Sequence, residues 1–149
     1  MSHRAHFFAL LMIGVILAGV TGTEAKATVT LTGSYRTTLS AGGLIRAGAP
    51  SVESADETGT WTLTFAKRSW TLRQEHAPDQ NALDRGVIAV VGNRVDFTLL
   101  TSDGAPHRVF LGTFRWTVRG GTLRFSLLAD QFSTSVVTVL IAQPWKRIR

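Results

Sequence analysis

Few side chains in this chain have the types and spacing that catalysis or metal binding requires. Beyond the first 27 residues the histidines are His76 and His107, and neither belongs to a catalytic or metal-binding motif. Glu53, Asp56 and Glu57 lie in the long connection after strand one, where we expect them to solubilise the segment or start a short helix rather than bind a metal ion. The absence of cysteine excludes thiolate ligands, disulfides and a lipid-modified cysteine anchor. We therefore expect no metal, no cofactor and no catalytic residue, and an enzyme is the less favoured class.

Three polar side chains are the main candidates for binding chemistry. Hairpin registers place Gln74 and His76 on the inner face of a sheet, at the end with the long loops, and counting back from Phe110 places Arg108 there too. Polar groups at the entrance of an apolar pocket are typical of small-molecule sites, and a guanidinium binds carboxylate or phosphate well. The pattern predicts a site for an amphipathic molecule, with its acidic head near Arg108. The alternative is that all three are ordinary rim residues in contact with solvent.

Aromatic side chains complete the predicted ligand-binding set. Trp61 lies near the long-loop end and is the best aromatic candidate for ligand contact. Tyr35 is a weaker candidate, because its hydroxyl needs a hydrogen-bond partner. The predicted ligand-binding residues are Tyr35, Trp61, Gln74, His76, Arg108 and Phe110.

Short strands must position these residues. Runs rich in Thr, Val, Phe, Trp and Leu alternate between polar and apolar, and Gly, Asp, Asn and Pro interrupt them. Two-residue turns are predicted at Lys67-Arg68, Gly92-Asn93 and Gly120-Gly121. Each turn fixes a register in which the large apolar residues of both strands share one face. We predict eight strands, over residues 28–39, 58–66, 69–76, 86–91, 94–101, 107–118, 122–129 and 134–142.

Tight and long connections alternate along the chain, so an up-and-down sheet gathers the tight turns at one end and the long loops at the other. We therefore predict an all-β fold, an eight-stranded antiparallel up-and-down barrel with one closed end and one open mouth. After strand one, we predict either a lid loop or a short helix that Ser40 caps and Gly48 stops. The segment 134–142 is apolar on both faces, so the pattern does not orient this last strand.

The predicted interior is lined by large apolar side chains. Whether they leave a cavity is open, because small eight-stranded barrels are able to fill their interior. Trp70 and Trp116, near the tight turns, are interpreted as core. The predicted lining is Trp61, Leu63, Phe65, Trp70, Leu72, Ile88, Val90, Phe97, Phe110, Phe114, Trp116 and Phe125.

The first residues are typical of an export signal. An apolar run from Phe7 to Val20 is short for a membrane span and precedes Ala25-Lys26-Ala27, an A-x-A cleavage site. We predict a signal peptide over residues 1–27, cleaved after Ala25 or Ala27, and one domain over residues 28–149. An uncleaved N-terminal anchor is the alternative. The expected location is outside the cell, in the periplasm or in the cell envelope.

The net charge of +6 comes mostly from arginine. An exported basic protein is able to bind an anionic envelope surface, whether polymer or lipid head groups. We expect no nucleic-acid binding, because the basic residues are spread over many strands and no basic cluster is interleaved with exposed aromatics.

Several segments of the chain match a known family of barrels. The chain resembles the lipocalin-like, or calycin, barrels, above all their short exported bacterial members. Lipocalins have a Gly-x-Trp motif in strand one and an arginine after the last strand that packs on it; here Tyr35 replaces the tryptophan and Arg147 is the candidate arginine. The family's disulfide is absent. The matching segments are Leu31-Thr32-Gly33-Ser34-Tyr35, Gly59-Thr60-Trp61-Thr62-Leu63-Thr64-Phe65, Gly112-Thr113-Phe114-Arg115-Trp116, Gly121-Thr122-Leu123-Arg124-Phe125 and Gln143-Pro144-Trp145-Lys146-Arg147.

Three functions are compatible with these observations. The resemblance implies a secreted protein that binds a small apolar or acidic amphipathic molecule inside the barrel. The second is a barrel with a solid core that acts as a protein or envelope interaction module. The third and least favoured is a barrel enzyme of the cyclase type. A shared fold does not decide among them.

Overall fold

The computed structural model describes residues 30–75, 83–102, 105–130 and 135–149. The predicted signal peptide and His76 lie outside these residues. The elements, in chain order, are β1 Gly33–Leu39, α1 Ala41–Arg46, β2 Gly59–Ala66, β3 Ser69–Gln74, β4 Leu83–Val91, β5 Arg94–Ser102, β6 Ala105–Arg119, β7 Thr122–Asp130, α2 Ser135–Ala142 and β8 Trp145–Arg147.

The eight strands form one closed antiparallel barrel. Each strand pairs with its neighbours in sequence, and β8 pairs with β1 to close the sheet. The fold is therefore the predicted up-and-down barrel, with a short helix after strand one. We call the end with the tight turns the closed end and the opposite end the mouth.

The tight turns set the registers that the sequence predicts. Across the Lys67-Arg68 turn Phe65 pairs with Trp70, and across the Gly120-Gly121 turn Trp116 pairs with Phe125. The backbone φ is +56° at Lys67 and +53° at Gly120, the left-handed conformation that two-residue hairpin turns need. The apolar residues of the paired strands consequently share the inner face.

Helix α1 begins at its predicted cap. The Ser40 hydroxyl accepts a hydrogen bond from the Gly43 amide at 3.2 Å, which satisfies one of the free N–H groups of the first turn. Gly48 follows the helix with φ +106°, a conformation that favours glycine. Leu44, buried on the inner side of α1, joins the hydrophobic core at the mouth.

The prediction of a strand over 134–142 is wrong. Residues Ser135–Ala142 form α2, and the closing strand β8 lies further along the chain, at Trp145–Arg147. A β-branched run that is apolar on all sides fits a buried helix as well as a strand, so periodicity does not distinguish them. Tertiary burial decides here, because α2 packs against α1, β6 and β7 and buries five consecutive residues, Val136, Val137, Thr138, Val139 and Leu140.

The short β8 closes the barrel only near its closed end. Trp145 pairs with Leu123 of β7, and Arg147 pairs with Tyr35 of β1. Next to it, the Thr37 hydroxyl donates to the Pro144 carbonyl at 2.9 Å. Towards the mouth, apolar side chains of a helix therefore complete the core instead of a full eighth strand.

Two buried tryptophans give a matched test of this packing. The indole N–H of Trp145 donates to the Leu140 carbonyl at 3.0 Å and so joins β8 to α2. The indole nitrogen of Trp116 is buried and has no hydrogen-bond partner in the described part of the chain. Both changes to Phe remove similar apolar area, but only Trp145→Phe also breaks a buried hydrogen bond. We expect Trp145→Phe to lower the free energy of unfolding by about 1 kcal/mol more than Trp116→Phe.

Urea unfolding of the two variants, followed by circular dichroism, measures this difference. An equal or larger loss for Trp116→Phe would contradict the assigned role of Trp145.

Candidate functional site

The predicted mouth residues Trp61 and Gln74 hold the segment that follows α1. We call residues 51–58 the mouth segment. The Trp61 indole N–H donates to the Glu57 carbonyl at 2.9 Å, and the Gln74 amide donates to the carbonyls of Asp56 at 2.9 Å and Thr58 at 2.7 Å. Trp61 is only 5% exposed. The polar groups of both side chains therefore bind the protein's own backbone.

Both the ring and the hydroxyl of Tyr35 likewise contact the protein itself. Its ring is buried and meets Phe65 edge to face, with 6.2 Å between ring centroids. Its hydroxyl donates to the Thr32 carbonyl at 3.1 Å. The hydrogen-bond partner that a buried tyrosine needs is thus supplied from within the chain.

Arg108 and Phe110 lie on the outer face, whereas the hairpin count places them on the inner face. Phe110 pairs with Thr98 and Val109 pairs with Leu99, so Val109 points to the core and its neighbours point outward. The cause is a register shift in which Leu111 is an extra residue on β6. Arg108 is exposed there and Phe110 is half-buried.

The barrel interior is packed around Phe97. Its ring centroid lies 5.3 Å from that of Phe114, 5.4 Å from Trp70, 5.6 Å from Phe125 and 6.1 Å from Phe65. The planes meet at steep angles, the edge-to-face arrangement that aromatic rings prefer. Phe97 and Phe114 have no exposed surface, so no water-sized void adjoins them.

Most of the predicted lining is buried as expected. The exceptions are Phe110, which the bulge turns outward, and Val90, which is exposed near the closed end. The register prediction therefore holds wherever the strands pair without a bulge.

Asp84 is an inward-facing residue that the sequence analysis misses. It pairs with Leu72, is buried, and has an interaction partner within the protein. The prediction starts strand four at residue 86, but β4 begins at Leu83. Asp84, Gly86 and Ile88 are spaced two residues apart. If the predicted strand is extended towards the mouth, Asp84 therefore shares the inward face of Gly86 and Ile88.

A row of exposed basic residues crosses the outer face of five adjacent strands, near the closed end. Arg94 of β5 pairs directly with Arg115 of β6, and Lys146 of β8 pairs directly with Arg36 of β1. Arg124 of β7 lies between these pairs, diagonal to Arg115 on one side and to Lys146 on the other. We call these residues the basic belt: Arg36, Arg94, Arg115, Arg124 and Lys146.

The belt is poorly neutralised. Arg36 forms a salt bridge with Glu75, with 2.9 Å between nitrogen and oxygen, and Glu75 also accepts from Thr62. The other four belt residues form no salt bridge within the described residues. Like charges directly opposite across two strands are unfavourable by up to about 1 kcal/mol. The arrangement therefore leaves the outer face with unsatisfied positive charge.

Charge is also separated along the barrel axis. The closed end carries further cations at Lys67, Arg68 and Arg119, whereas Glu53, Asp56 and Glu57 lie at the mouth. Besides Glu75, which pairs with Arg36, a described carboxylate near the belt is Asp96, which accepts a hydrogen bond from the Thr113 hydroxyl at 2.6 Å. An anion that approaches the protein is thus attracted to the closed half.

A groove of about 420 Å³ runs across the outer face of β4 to β7. Ala89, Asp96, Thr113 and Ala129 pair successively across the strands and form its floor. Its rim is formed by Val91, Arg94 and Leu128. We call this feature the outer groove.

Two bulges shape the outer groove. On β7 Leu128 is an extra residue, so Leu128 and Ala129 both face outward; on β6 the extra residue Leu111 faces inward. Between them, Gly112 has φ +153°, and a Cβ there would lie 2.6 Å from the Ala129 carbonyl oxygen. Only glycine allows β6 and β7 to approach this closely, so Gly112 fixes the curvature of the sheet at the groove.

Within the described residues there is no group of three or more side chains that could bind a metal ion. The same part of the chain contains no helix that is long and apolar enough to cross a membrane.

Comparison of the chain with protein-family models, with curated proteins and with solved structures finds no match. What the chain does must therefore be argued from its closed eight-stranded barrel, its packed interior and its charged outer face.

Proposed function

We propose that this barrel is a binding module with a filled interior, which binds a flexible anionic polymer of the cell envelope along the basic belt. The single observation that carries the proposal is the row of five exposed cations, four of them without a carboxylate partner in the described chain. The predicted export signal would deliver the protein to such polymers.

The curvature of the barrel favours a flexible polymer over a flat surface. The belt follows five adjacent strands of an eight-stranded barrel, and neighbouring strands lie about 4.8 Å apart. Five of eight strands cover more than half of the circumference, so a plane cannot contact all five side chains together. A chain of phosphate or carboxylate groups is able to follow the curve.

The electrostatics of the belt also support a bound anion. Arg94 and Arg115, which lie directly opposite each other, repel in the free protein. Lys146 lies opposite Arg36, whose charge the salt bridge with Glu75 offsets. A polymer phosphate placed between two guanidinium groups would remove this repulsion and form charge-assisted hydrogen bonds. Polymer binding is therefore favoured by the loss of a charge repulsion that destabilises the free protein.

An interior ligand is a second proposal. It is supported by the mouth segment, which is held over the inner-face residues Trp61 and Gln74 by three hydrogen bonds to its backbone. Release of these bonds would expose apolar lining near the mouth. A relation to the calycin barrels belongs with this proposal, supported by the strand count and by the pairing of Tyr35 with Arg147.

Paired substitutions test the basic belt. We expect Arg115→Gln with Arg124→Gln to weaken binding of a linear polyphosphate about tenfold to thirtyfold at low salt, since each cation near a dense anionic partner contributes about 1 kcal/mol. The matched control is Arg46→Gln with Arg85→Gln, which removes the same charge from exposed positions on α1 and β4, away from the belt. Isothermal titration at several salt concentrations measures both. Equal losses in the two double variants would refute the belt as the site.

Two competitors test the kind of polymer. Vesicles that contain anionic lipid offer a flat surface, and duplex DNA offers a stiff one. Tighter binding to either than to polyphosphate, at equal phosphate concentration, would overturn the assignment to a flexible envelope polymer.

Arg115→Gln alone separates binding from folding. Because it removes one of two directly opposed charges, we expect the free energy of unfolding to rise by about 0.2–1 kcal/mol while polyphosphate affinity falls. Urea unfolding without ligand measures the stability. A less stable Arg115→Gln would contradict the repulsion that we assign to the Arg94–Arg115 pair.

Native mass spectrometry of the purified protein tests the interior proposal. With the interior filled, we expect the mass of the polypeptide alone. A co-purified apolar molecule that Gln74→Ala releases would instead favour a ligand behind the mouth segment, because Gln74 forms two of the bonds that hold it.

A further inference from the structure

We infer that the outer groove binds a monoanionic amphiphile with an unbranched apolar chain, such as a fatty carboxylate. This site lies outside the barrel. It shares Arg94 and Arg115 with the basic belt but does not depend on polymer binding.

The floor of the groove fits a narrow apolar chain. The row across four strands spans about 14 Å at the usual strand spacing. Three of its four members, Ala89, Thr113 and Ala129, have small uncharged side chains, and the fourth is Asp96. Val91 and Leu128 border the row and are 77% and 37% exposed. A methylene chain laid on this floor would cover apolar surface that is now in contact with water, at a gain of roughly 25 cal/mol per Å².

One side of the groove, next to the Asp96–Thr113 pair, fits an anionic head group. Arg94 lines the groove, and Arg115 lies directly opposite it on β6, where their Cβ atoms are about 5 Å apart. Neither forms a salt bridge within the described chain. Two guanidinium groups at this spacing are suited to a single carboxylate.

Asp96 limits the charge of the ligand. Its carboxylate lies on the floor, fixed by the Thr113 hydroxyl at 2.6 Å, and repels anions that extend along the groove. A head group with one negative charge reaches the arginine pair at the side of the row, whereas a polyanion that extends along the row would place a further negative charge against Asp96. The groove therefore selects a single charge followed by an apolar chain.

Isothermal titration with three probes tests the ligand class. Laurate combines the apolar chain with a carboxylate, dodecyl maltoside has the same chain with an uncharged head, and butyrate has the carboxylate with a short chain. Laurate is used below its micelle concentration. We expect laurate to bind at least about tenfold more tightly than either of the others, because each lacks one half of the site. Equal binding of butyrate or of dodecyl maltoside would overturn the inference.

Groove-filling variants test the location. Ala129→Phe and Ala89→Leu place bulk at two exposed positions on the floor, so each should weaken laurate binding at least about tenfold. Thr71→Phe adds similar bulk to the outer face of β3, away from the groove, and should leave laurate affinity unchanged. Circular dichroism shows whether each variant is folded. If Ala129→Phe does not fold, Ala89→Leu provides the same test.

The same variants separate this inference from the proposed function. Ala129→Phe should retain polyphosphate binding while it loses laurate binding, because Ala129 is not part of the belt. Unchanged laurate affinity in a folded floor variant would show that laurate binds elsewhere, the barrel interior included, and would refute the groove. Arg115→Gln does not separate the two sites, because Arg115 belongs to both, so only the floor variants distinguish them.

Discussion

The contact of Phe97 with four other aromatic rings is the constraint on which the rest of this structure depends. A barrel of eight strands has an interior only a few side chains wide, and here one ring on β5 meets rings from β2, β3, β6 and β7. These five rings pack against one another in the barrel interior. Since the chain has no disulfide and no described metal site, this packing must supply most of the stability.

The packing of aromatic rings around Phe97 directs attention to the outer face. The two bulges near Gly112 act on both sides of the sheet: the extra Leu111 adds volume to the core, and the extra Leu128 adds an apolar residue to the outside. The same irregularity that completes the packing therefore makes the outer groove. It lies next to the arginine pair of the basic belt, so apolar surface and positive charge meet at one place.

Much of the fold follows from the sequence because tight turns fix registers locally. The pairs Phe65–Trp70 and Trp116–Phe125 are predictable because a two-residue turn sets the register and a one-residue slip would put the large side chains on opposite faces. The closing segment is less predictable, because the apolar run in α2 has no side that must face water. The short β8 and the bulge at Leu111 depend on how β6, β7 and β1 pack in three dimensions. No local sequence pattern predicts this packing.

The candidate site was harder to predict than the fold for the same reason. Trp61 and Gln74 lie where the hairpin register places them, but their polar groups bind the backbone of the mouth segment. The extra residue Leu111 turns Arg108 outward, since a bulge changes the face of the residues between it and the next register shift. The basic belt draws its residues from five strands that are distant in sequence, so it becomes visible only when the barrel closes.

The central claim is that partners bind the outside of a barrel whose interior is already occupied by its own side chains. Nuclear magnetic resonance of labelled protein, titrated with linear polyphosphate, tests it most directly. The account predicts shifts in the guanidinium signals of Arg94, Arg115 and Arg124, with the ring signals of Phe97 and Phe114 unchanged. Shifts of those buried rings, with the three arginine signals unchanged, would contradict it.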